Sequence, residues 1–349
     1  MTEENCIIID AHVHLWETQK GLVNNLPVVS AGNGKSTFLG GIHQMMPPYM
    51  EDNRNTAERL IANMDYAQVN ACAVTQEYLD GSQDEYLLEV RNKYPDRFRI
   101  TSLYEDDGFI EDMAASDEFS DRECISGSDS EHQDRTGSAS GQQCRSELSF
   151  GHKSHTVHLS HGRVRIEGFD GIKICACRLK EKDLARHLDV FKTTEQAGKY
   201  ISIDMADGDE QVASLQEVID QCPSLRIAIG HFGMVTTKGW QAQIALAKNK
   251  NVYIESGGLT WLFHSEFYPY PSAIDAILEA RDICGMDKLM WGSDYPRTMT
   301  DITYKSALRF ILESEKMTGH EKRLFLGENA AGFYGFRDLK PLPVIDNML

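Results

Sequence analysis

Eight short apolar stretches with helical patterns between them set the strongest limit on how this chain can fold. The stretches are rich in β-branched residues, which favour buried strands, and they lie at residues 6–10, 71–76, 98–104, 171–175, 200–204, 225–230, 251–256 and 288–292. Amphipathic helical patterns fall at about 55–68, 84–94, 182–197, 209–221, 238–249, 271–284 and 301–314. Alternating strands and helices predict a parallel sheet. Eight such strands favour a closed (β/α)8 TIM barrel over an open doubly wound sheet.

The chain has 349 residues, which fits one such barrel with insertions, because this fold needs about 250 residues. We therefore predict a single domain over residues 1–349. Residues 15–54 form a long connection after the first strand, on the face where a barrel carries its active site. Residues 115–165 are polar and lack apolar periodicity, which predicts a poorly ordered insertion within the domain. Histidines recur every three residues in it, and a metal-binding tract is the less favoured interpretation of His152, His155, His158 and His161.

Charge and composition exclude several classes of protein. The net charge of -18 argues against nucleic-acid binding, which needs clustered Lys and Arg. No stretch is long and apolar enough to cross a bilayer, and the acidic N-terminus does not look like a signal peptide. The eight cysteines are scattered, which indicates reduced, cytoplasmic usage. We expect a cytoplasmic protein with a small-molecule substrate and no nucleic-acid or membrane partner, and a homodimer is left open.

His12 and His14 form the most informative local motif, in Ile-Ile-Ile-Asp-Ala-His-Val-His. Side chains two apart on a strand point to the same side, so both imidazoles can reach one metal ion. Asp204, His231 and Asp294 each lie at the end of a predicted strand, and the C-terminal strand ends of a barrel converge on its active face. Imidazole and carboxylate without thiolate predict a divalent metal, Zn²⁺ first, with Mn, Fe and Co left open.

Several motifs taken together resemble the amidohydrolase superfamily. They are Ile-Asp-Ala-His-Val-His, Gly-Phe-Asp-Gly-Ile-Lys-Ile, Ile-Gly-His-Phe-Gly and Trp-Gly-Ser-Asp-Tyr-Pro, in this order. The branch that they resemble is the amidohydrolase-related (amidohydrolase 2) family, which contains lactonases and metal-dependent decarboxylases. The resemblance implies a metal-centred barrel in which His12, His14 and Asp294 bind the metal, while His231 binds it or polarises the substrate.

One position departs from the family pattern. The family usually has His at the end of the fifth strand, where this chain has Asp204. A carboxylate can bind Zn²⁺ at a similar distance, so we predict Asp204 among the ligands. The alternative is a weak or absent metal, as in lactonases of this branch that use Asp, His and Arg directly. Lys173, in the fourth strand, is either an ion-pair partner or, as a less favoured interpretation, a carbamylated bridge between two metals.

These residues predict a metal-dependent hydrolase of a small carboxylated or cyclic substrate, a lactone, ester or amide. Asp294 would act as general base towards a water activated by the metal, and His231 would stabilise the oxyanion. Arg297 could bind a substrate carboxylate. Aromatic residues that follow strand ends could line the pocket, namely Trp16, Tyr78, Trp261 and Tyr295. Two alternatives stay open: a non-oxidative decarboxylase with the same metal ligands, and an inactive barrel with a binding role.

Overall fold

The computed structural model describes residues 6–114, 155–343 and 345. Its centre is a nearly closed barrel of eight parallel strands in sequence order. The strands are β1 (Ile9–Val13), β2 (Ala71–Val74), β3 (Phe98–Leu103), β4 (Gly171–Ile174), β5 (Tyr200–Ile203), β6 (Arg226–Ile229), β7 (Val252–Glu255) and β8 (Leu289–Met290). The edges meet where the backbone N–H of Ala11 donates to Trp291 and that of His14 donates to Tyr295, both at 2.8 Å. The predicted TIM barrel is confirmed.

The predicted strands all exist, and seven of them agree with the predicted bounds to within two residues. The exception is β1, which begins at Ile9 and not at residue 6, so His12 lies inside the strand and His14 directly after it. Strand bounds depend on the pairing of β1 with β2, which local apolar patterns do not reveal.

A β-bulge in β1 turns both histidines into the barrel. Between Asp10 and Val13, β1 advances three residues while its partner β2 advances two. Ala11 packs in the apolar cluster inside the barrel, and the extra residue lets His12, the next one along, face the interior as well. Bulges commonly re-aim side chains beside active sites.

Helices surround the barrel at all seven predicted positions. Their bounds are Ala57–Ala67, Asp84–Lys93, Leu188–Gln196, Val212–Gln221, Trp240–Ala245, Pro271–Cys284 and Tyr304–Glu313. Shorter helices lie at Leu259–Leu262, Gly319–Arg323 and Asn329–Tyr334. The first helix buries Leu60 and Met64 against the strands, which is the apolar stripe expected of a surface helix. Within the described ranges, no helix is both long enough and apolar enough to cross a membrane.

The connection over residues 15–54 contains a small antiparallel sheet that the sequence analysis did not predict. Its four strands are Lys20–Val23, Leu26–Gly32, Lys35–Phe38 and Gly41–Gln44, and we call it the covering sheet. Its strands are short and only partly buried, so they lack the apolar alternation that would mark them in a sequence. The covering sheet docks on the segment after β2, where the N–H of Leu22 donates to the carbonyl of Tyr78 at 2.8 Å.

The insertion predicted at 115–165 is only partly described, because residues 115–154 lie outside the described ranges. Thr156–Leu159 and Gly162–Arg165 form an antiparallel hairpin beside Glu105–Asp106, while the poor order of the insertion stays a prediction. Backbone pairing holds this polar segment, and such pairing leaves little apolar pattern. Three histidines of the tract are described, His155, His158 and His161, and none of them belongs to a group of potential metal ligands among the described residues. His152 lies outside the described residues, and a single domain over residues 1–349 stays a prediction.

Candidate metal centre and active site

The two histidines of the first motif and the aspartate after β8 meet at the C-terminal end of the barrel. His14 Nε2 lies 3.1 Å from His12 Nε2 and 3.1 Å from Asp294 Oδ1, while His12 Nε2 lies 3.7 Å from Asp294 Oδ1. All three side chains are buried. A tetrahedral Zn²⁺ with bonds of 2.0–2.1 Å separates its ligand atoms by about 3.3 Å. The donor types and their spacing therefore fit one divalent ion held between these three residues.

Glu255, at the end of β7, orients His12 and was missed by the sequence analysis. Its Oε1 lies 2.6 Å from His12 Nδ1, and its Oε2 accepts a hydrogen bond from the N–H of Gly257 at 2.6 Å. Because His12 donates from Nδ1, its Nε2 presents a lone pair to His14 and Asp294. Burial lowers the pKa of His12 from its usual value, against the raising effect of Glu255, so the ring is neutral, as metal binding requires. Glu255 could have been found from the sequence, because it is a glutamate at the end of a predicted buried strand.

Asp294 is held by both its backbone and its carboxylate. Its N–H donates to the carbonyl of His12 at 2.9 Å, and its φ of 59° lies in the left-handed region that Asp tolerates better than most residues. Trp261 Nε1 donates to its Oδ2 at 2.5 Å. Burial alone would raise the pKa of Asp294, but the contact with His14 and the charge of His231 hold that pKa well below its usual range. The carboxylate is therefore ionised.

Asp204 lies at the expected strand end, but it contacts a lysine. Its Oδ1 is 2.6 Å from Lys173 Nζ and its Oδ2 is 3.5 Å from His231 Nε2. Burial opposes charge on both partners, yet Lys173 holds the pKa of Asp204 well below its usual range, and Asp204 raises the pKa of Lys173. A protonated Lys173 lacks the neutral amine that carbamylation needs, so the carbamylated bridge is not supported.

The buried atoms of this ion pair have few partners in the described part of the chain. Beyond the ion pair itself and the contact with His231, Lys173 Nζ and the carboxylate oxygens of Asp204 have no further hydrogen-bond partner there. Buried polar atoms with unused bonding capacity are often satisfied by a ligand or ordered water. Asp204 also groups with His12 and His231 as potential metal ligands. Metal binding by Asp204 thus stays a prediction, with Lys173 competing for one of its oxygens.

His231 lies beside Asp204 at the barrel mouth, because β5 and β6 are neighbouring strands. Its Nδ1 lies 3.0 Å from the carbonyl of Gly257, which leaves Nε2 towards Asp204. Burial opposes protonation, but the charge of Asp204 raises the pKa of His231 to about 10. Without a metal the ring is therefore an imidazolium, which suits the stabilisation of developing negative charge.

A cavity of about 480 Å³ opens over these residues. Seven of the ten predicted site residues line it, namely His14, Trp16, Asp204, His231, Trp261, Asp294 and Arg297. Tyr78 and Tyr295 do not line this cavity, which corrects the sequence-based expectation. Tyr78 stacks on Phe109 with ring centroids 3.9 Å apart, and Tyr295 packs edge-on against Tyr304 at 5.7 Å. Both aromatic rings are buried in the wall and not at its surface.

Further lining residues were missed by the sequence analysis. Glu77 and Arg178 follow β2 and β4, and Arg178 Nε donates to Glu77 Oε1 at 2.8 Å. The covering sheet and the residue after it contribute Phe38, His43, Gln44 and Met45. Glu77 and Arg178 could have been found in the sequence, because each follows the end of a predicted strand. The four residues of the covering sheet and its end could not, because the covering sheet itself was not predicted.

Arg297 has no acidic partner among the described residues. Its Nη1 donates to Thr300 Oγ1 at 2.7 Å, and its guanidinium carbon lies 5.8 Å from the ring centroid of Trp261. Arginine forms bidentate hydrogen bonds with carboxylates, so its position in the cavity wall suits an anionic group.

The fold is a (β/α)8 barrel, and its cluster of imidazoles and carboxylates is a candidate metal site. Residues 163–336 match the model of the family described as Amidohydrolase. The chain belongs to this family, which is a metal-dependent family of enzymes, as the four motifs had indicated. A comparison with curated proteins gives no match.

Solved structures share the fold over nearly the whole chain. A probable 2-pyrone-4,6-dicarboxylic acid hydrolase from Acinetobacter baumannii, with citric acid bound, superposes with a TM-score of 0.58 at 17% identity, covering 95% of this chain and 100% of that one. An amidohydrolase from Burkholderia multivorans with bound zinc gives 0.57 at 14% identity, covering 94% and 99%. Amidohydrolase 2 from Bifidobacterium longum subsp. infantis gives 0.55 at 14% identity, covering 95% and 100%. At these identities the likeness establishes the fold.

Proposed function

We propose that this enzyme hydrolyses a small carboxylated or cyclic substrate, a lactone, ester or amide, at the cavity over the histidines. The observation that carries the proposal is the convergence of His12 Nε2, His14 Nε2 and Asp294 Oδ1 in one buried cluster. These three residues would hold a divalent ion, Zn²⁺ first. When bound at such a site, the ion acts as a Lewis acid and lowers the pKa of water to about 7.

Three side chains would carry out proton transfer, oxyanion stabilisation and substrate binding. Asp294 is ionised and would take the proton of the attacking water, then pass it to the leaving group. His231, an imidazolium beside Asp204, would stabilise the oxyanion. Arg297, which lacks an acidic partner among the described residues, would bind a carboxylate of the substrate.

The substrate class is supported by the cavity and by a structural relative. A volume of about 480 Å³ suits a small molecule, since ligand sites commonly measure about 300–1,000 Å³. The hydrolase from Acinetobacter baumannii is named for a cyclic dicarboxylate and was crystallised with citric acid, a carboxylated molecule. A cytoplasmic location and action without a nucleic-acid or membrane partner belong to the same proposal.

Product analysis tests the proposal. The purified enzyme, without chelator or His-tag, is assayed against 2-pyrone-4,6-dicarboxylate and a panel of carboxylated lactones and esters, with acid release and CO₂ measured in parallel. Acid release without CO₂ supports the hydrolase, whereas CO₂ release supports the decarboxylase. Asp294→Asn should lower kcat by about 10²- to 10⁴-fold. The matched control is Asp84→Asn, a buried aspartate outside the cavity.

Metal analysis of the same preparations separates the remaining alternatives. About one equivalent of metal per chain, lost in the His12→Ala plus His14→Ala variant, supports the proposed ligands. Hydrolysis by a metal-free protein would instead support a lactonase that uses Asp, His and Arg directly. Folded protein without metal, and without activity on any of these substrates, would support an inactive barrel.

A further inference from the structure

One indole contacts three residues of the candidate site. Trp261 Nε1 donates a hydrogen bond to Asp294 Oδ2 at 2.5 Å. The ring centroid of Trp261 lies 5.9 Å from that of His231 and 5.8 Å from the guanidinium carbon of Arg297. From the sequence we expected only that this tryptophan lines the pocket.

The hydrogen bond assigns different surroundings to the two oxygens of Asp294. Oδ1 faces His14 Nε2 at 3.1 Å, while Oδ2 is held by the indole N–H. An aspartate carboxylate can swap the positions of its two oxygens by rotation about the Cβ–Cγ bond. A short hydrogen bond to the ionised oxygen opposes this rotation, because bonds to charged groups are stronger than neutral ones.

The backbone beside Trp261 leaves room for the indole. Gly258 has a φ of 81°, and a Cβ at this position would lie 2.0 Å from Trp261 Nε1. A side chain at residue 258 would therefore strain the backbone and displace the indole from the carboxylate. The local sequence Gly-Gly-Leu-Thr-Trp is thus suited to bring the N–H to Asp294.

We propose that Trp261 is a positioning residue for Asp294, whose hydrogen bond to Oδ2 keeps Oδ1 directed at His12 and His14. The inference rests on the proposed function, in which Asp294 binds the metal and moves the proton. It differs from a role in the pocket wall, because a wall residue would affect substrate binding and not the metal.

The test uses Trp261→Phe, which removes the N–H donor and keeps an aromatic ring. The matched control is Trp240→Phe, the same truncation at a tryptophan that stacks on Phe232 and does not line the cavity. Both variants and the wild type are titrated with Co²⁺, whose visible spectrum reports its ligands. Trp261→Phe should weaken Co²⁺ binding by about 10- to 100-fold, change the spectrum, and lower kcat more than it raises KM. Trp240→Phe should change none of these.

The outcomes distinguish this inference from the proposed function. Wild-type Co²⁺ affinity and spectrum in Trp261→Phe would overturn the positioning role, whatever the activity. Gly258→Ala displaces the indole without removing it, should give the same loss, and serves if Trp261→Phe does not fold. If the wild type binds no Co²⁺, the metal part of the proposed function fails. The hydrogen bond is then tested by the indole N–H resonances of the four tryptophans: Asp294→Ala must shift that of Trp261, and an unmoved resonance would overturn the inference.

Discussion

Glu255 Oε1 lies 2.6 Å from His12 Nδ1, and this contact selects the nitrogen of His12 that faces the candidate metal. The other oxygen of Glu255 accepts the N–H of Gly257 at 2.6 Å. Both oxygens of this buried carboxylate therefore have a donor to satisfy. A residue at the end of β7 therefore orients a candidate metal ligand on β1.

Glu255→Gln should weaken metal binding by about 10- to 100-fold, the usual effect of losing a group that orients a metal-binding histidine. An amide has only one oxygen, so either His12 Nδ1 or the N–H of Gly257 must face its NH₂ group. Competition with a chelating dye measures the affinity. Glu321→Gln, in the cap of the helix Gly319–Arg323, is the control. Equal affinities in both variants would contradict the role of Glu255.

Replacing Asp80 should also weaken metal binding, but less than replacing Glu255, because Asp80 lies beside His14 at a longer distance. Its Oδ2 lies 3.5 Å from His14 Nδ1, which is longer than a hydrogen bond, and its Oδ1 accepts from Gln19 Nε2 at 3.1 Å. We expect Asp80→Asn to weaken metal binding by about tenfold, the lower end of such effects. Asp84→Asn is a close control, since Asp84 is also buried after β2 and accepts a glutamine amide, that of Gln76, at 2.8 Å. The idea fails if the two variants bind metal alike.

Lys173→Met should destabilise the metal-free protein by about 3–5 kcal/mol, because it removes the closer charged partner of Asp204 and leaves only His231, at 3.5 Å. Lys173 is fully buried and Asp204 nearly so. The double variant Lys173→Met plus Asp204→Asn should recover most of this loss, since the buried carboxylate charge is removed and His231 can then lose its proton. Urea unfolding at pH 7 measures the free energies. A single variant as stable as the wild type would show that the ion pair carries little of the folding free energy.

The stability of the metal-free protein should fall between about pH 7 and 10 because of His231. Its pKa is raised to about 10, since the charge of Asp204 outweighs the opposing effect of burial. A histidine has a pKa of about 6.5 when unfolded. Its contribution to stability is therefore fully present below pH 6.5 and is lost as the pH rises through the folded value. Unfolding at pH 6, 8 and 10, with chelator present, should show a steeper loss in the wild type than in His231→Gln. Parallel pH profiles would contradict the charged state of His231.

Much of the architecture was predictable because its signals are local. Strand and helix patterns recur with their own periods along the chain, so the positions of eight strands and seven helices could be predicted. The convergence of His12, His14 and Asp294 followed from the barrel, since parallel strand ends share one face. The start of β1 could not be predicted in the same way, because it depends on pairing with β2. The covering sheet was missed because its short, partly buried strands carry little apolar alternation.

The sequence by itself determined the barrel class, the family and the residues of the candidate metal site, because short motifs and local periodicity indicate each of them. The tertiary structure decided the partners of those motifs. Glu255 meets His12 across 243 residues, and Trp261 reaches Asp294 across 33. Lys173 pairs with Asp204 because β4 and β5 lie side by side. Such contacts depend on which strands become neighbours and on where a bulge turns a side chain, and no local pattern in the chain encodes either.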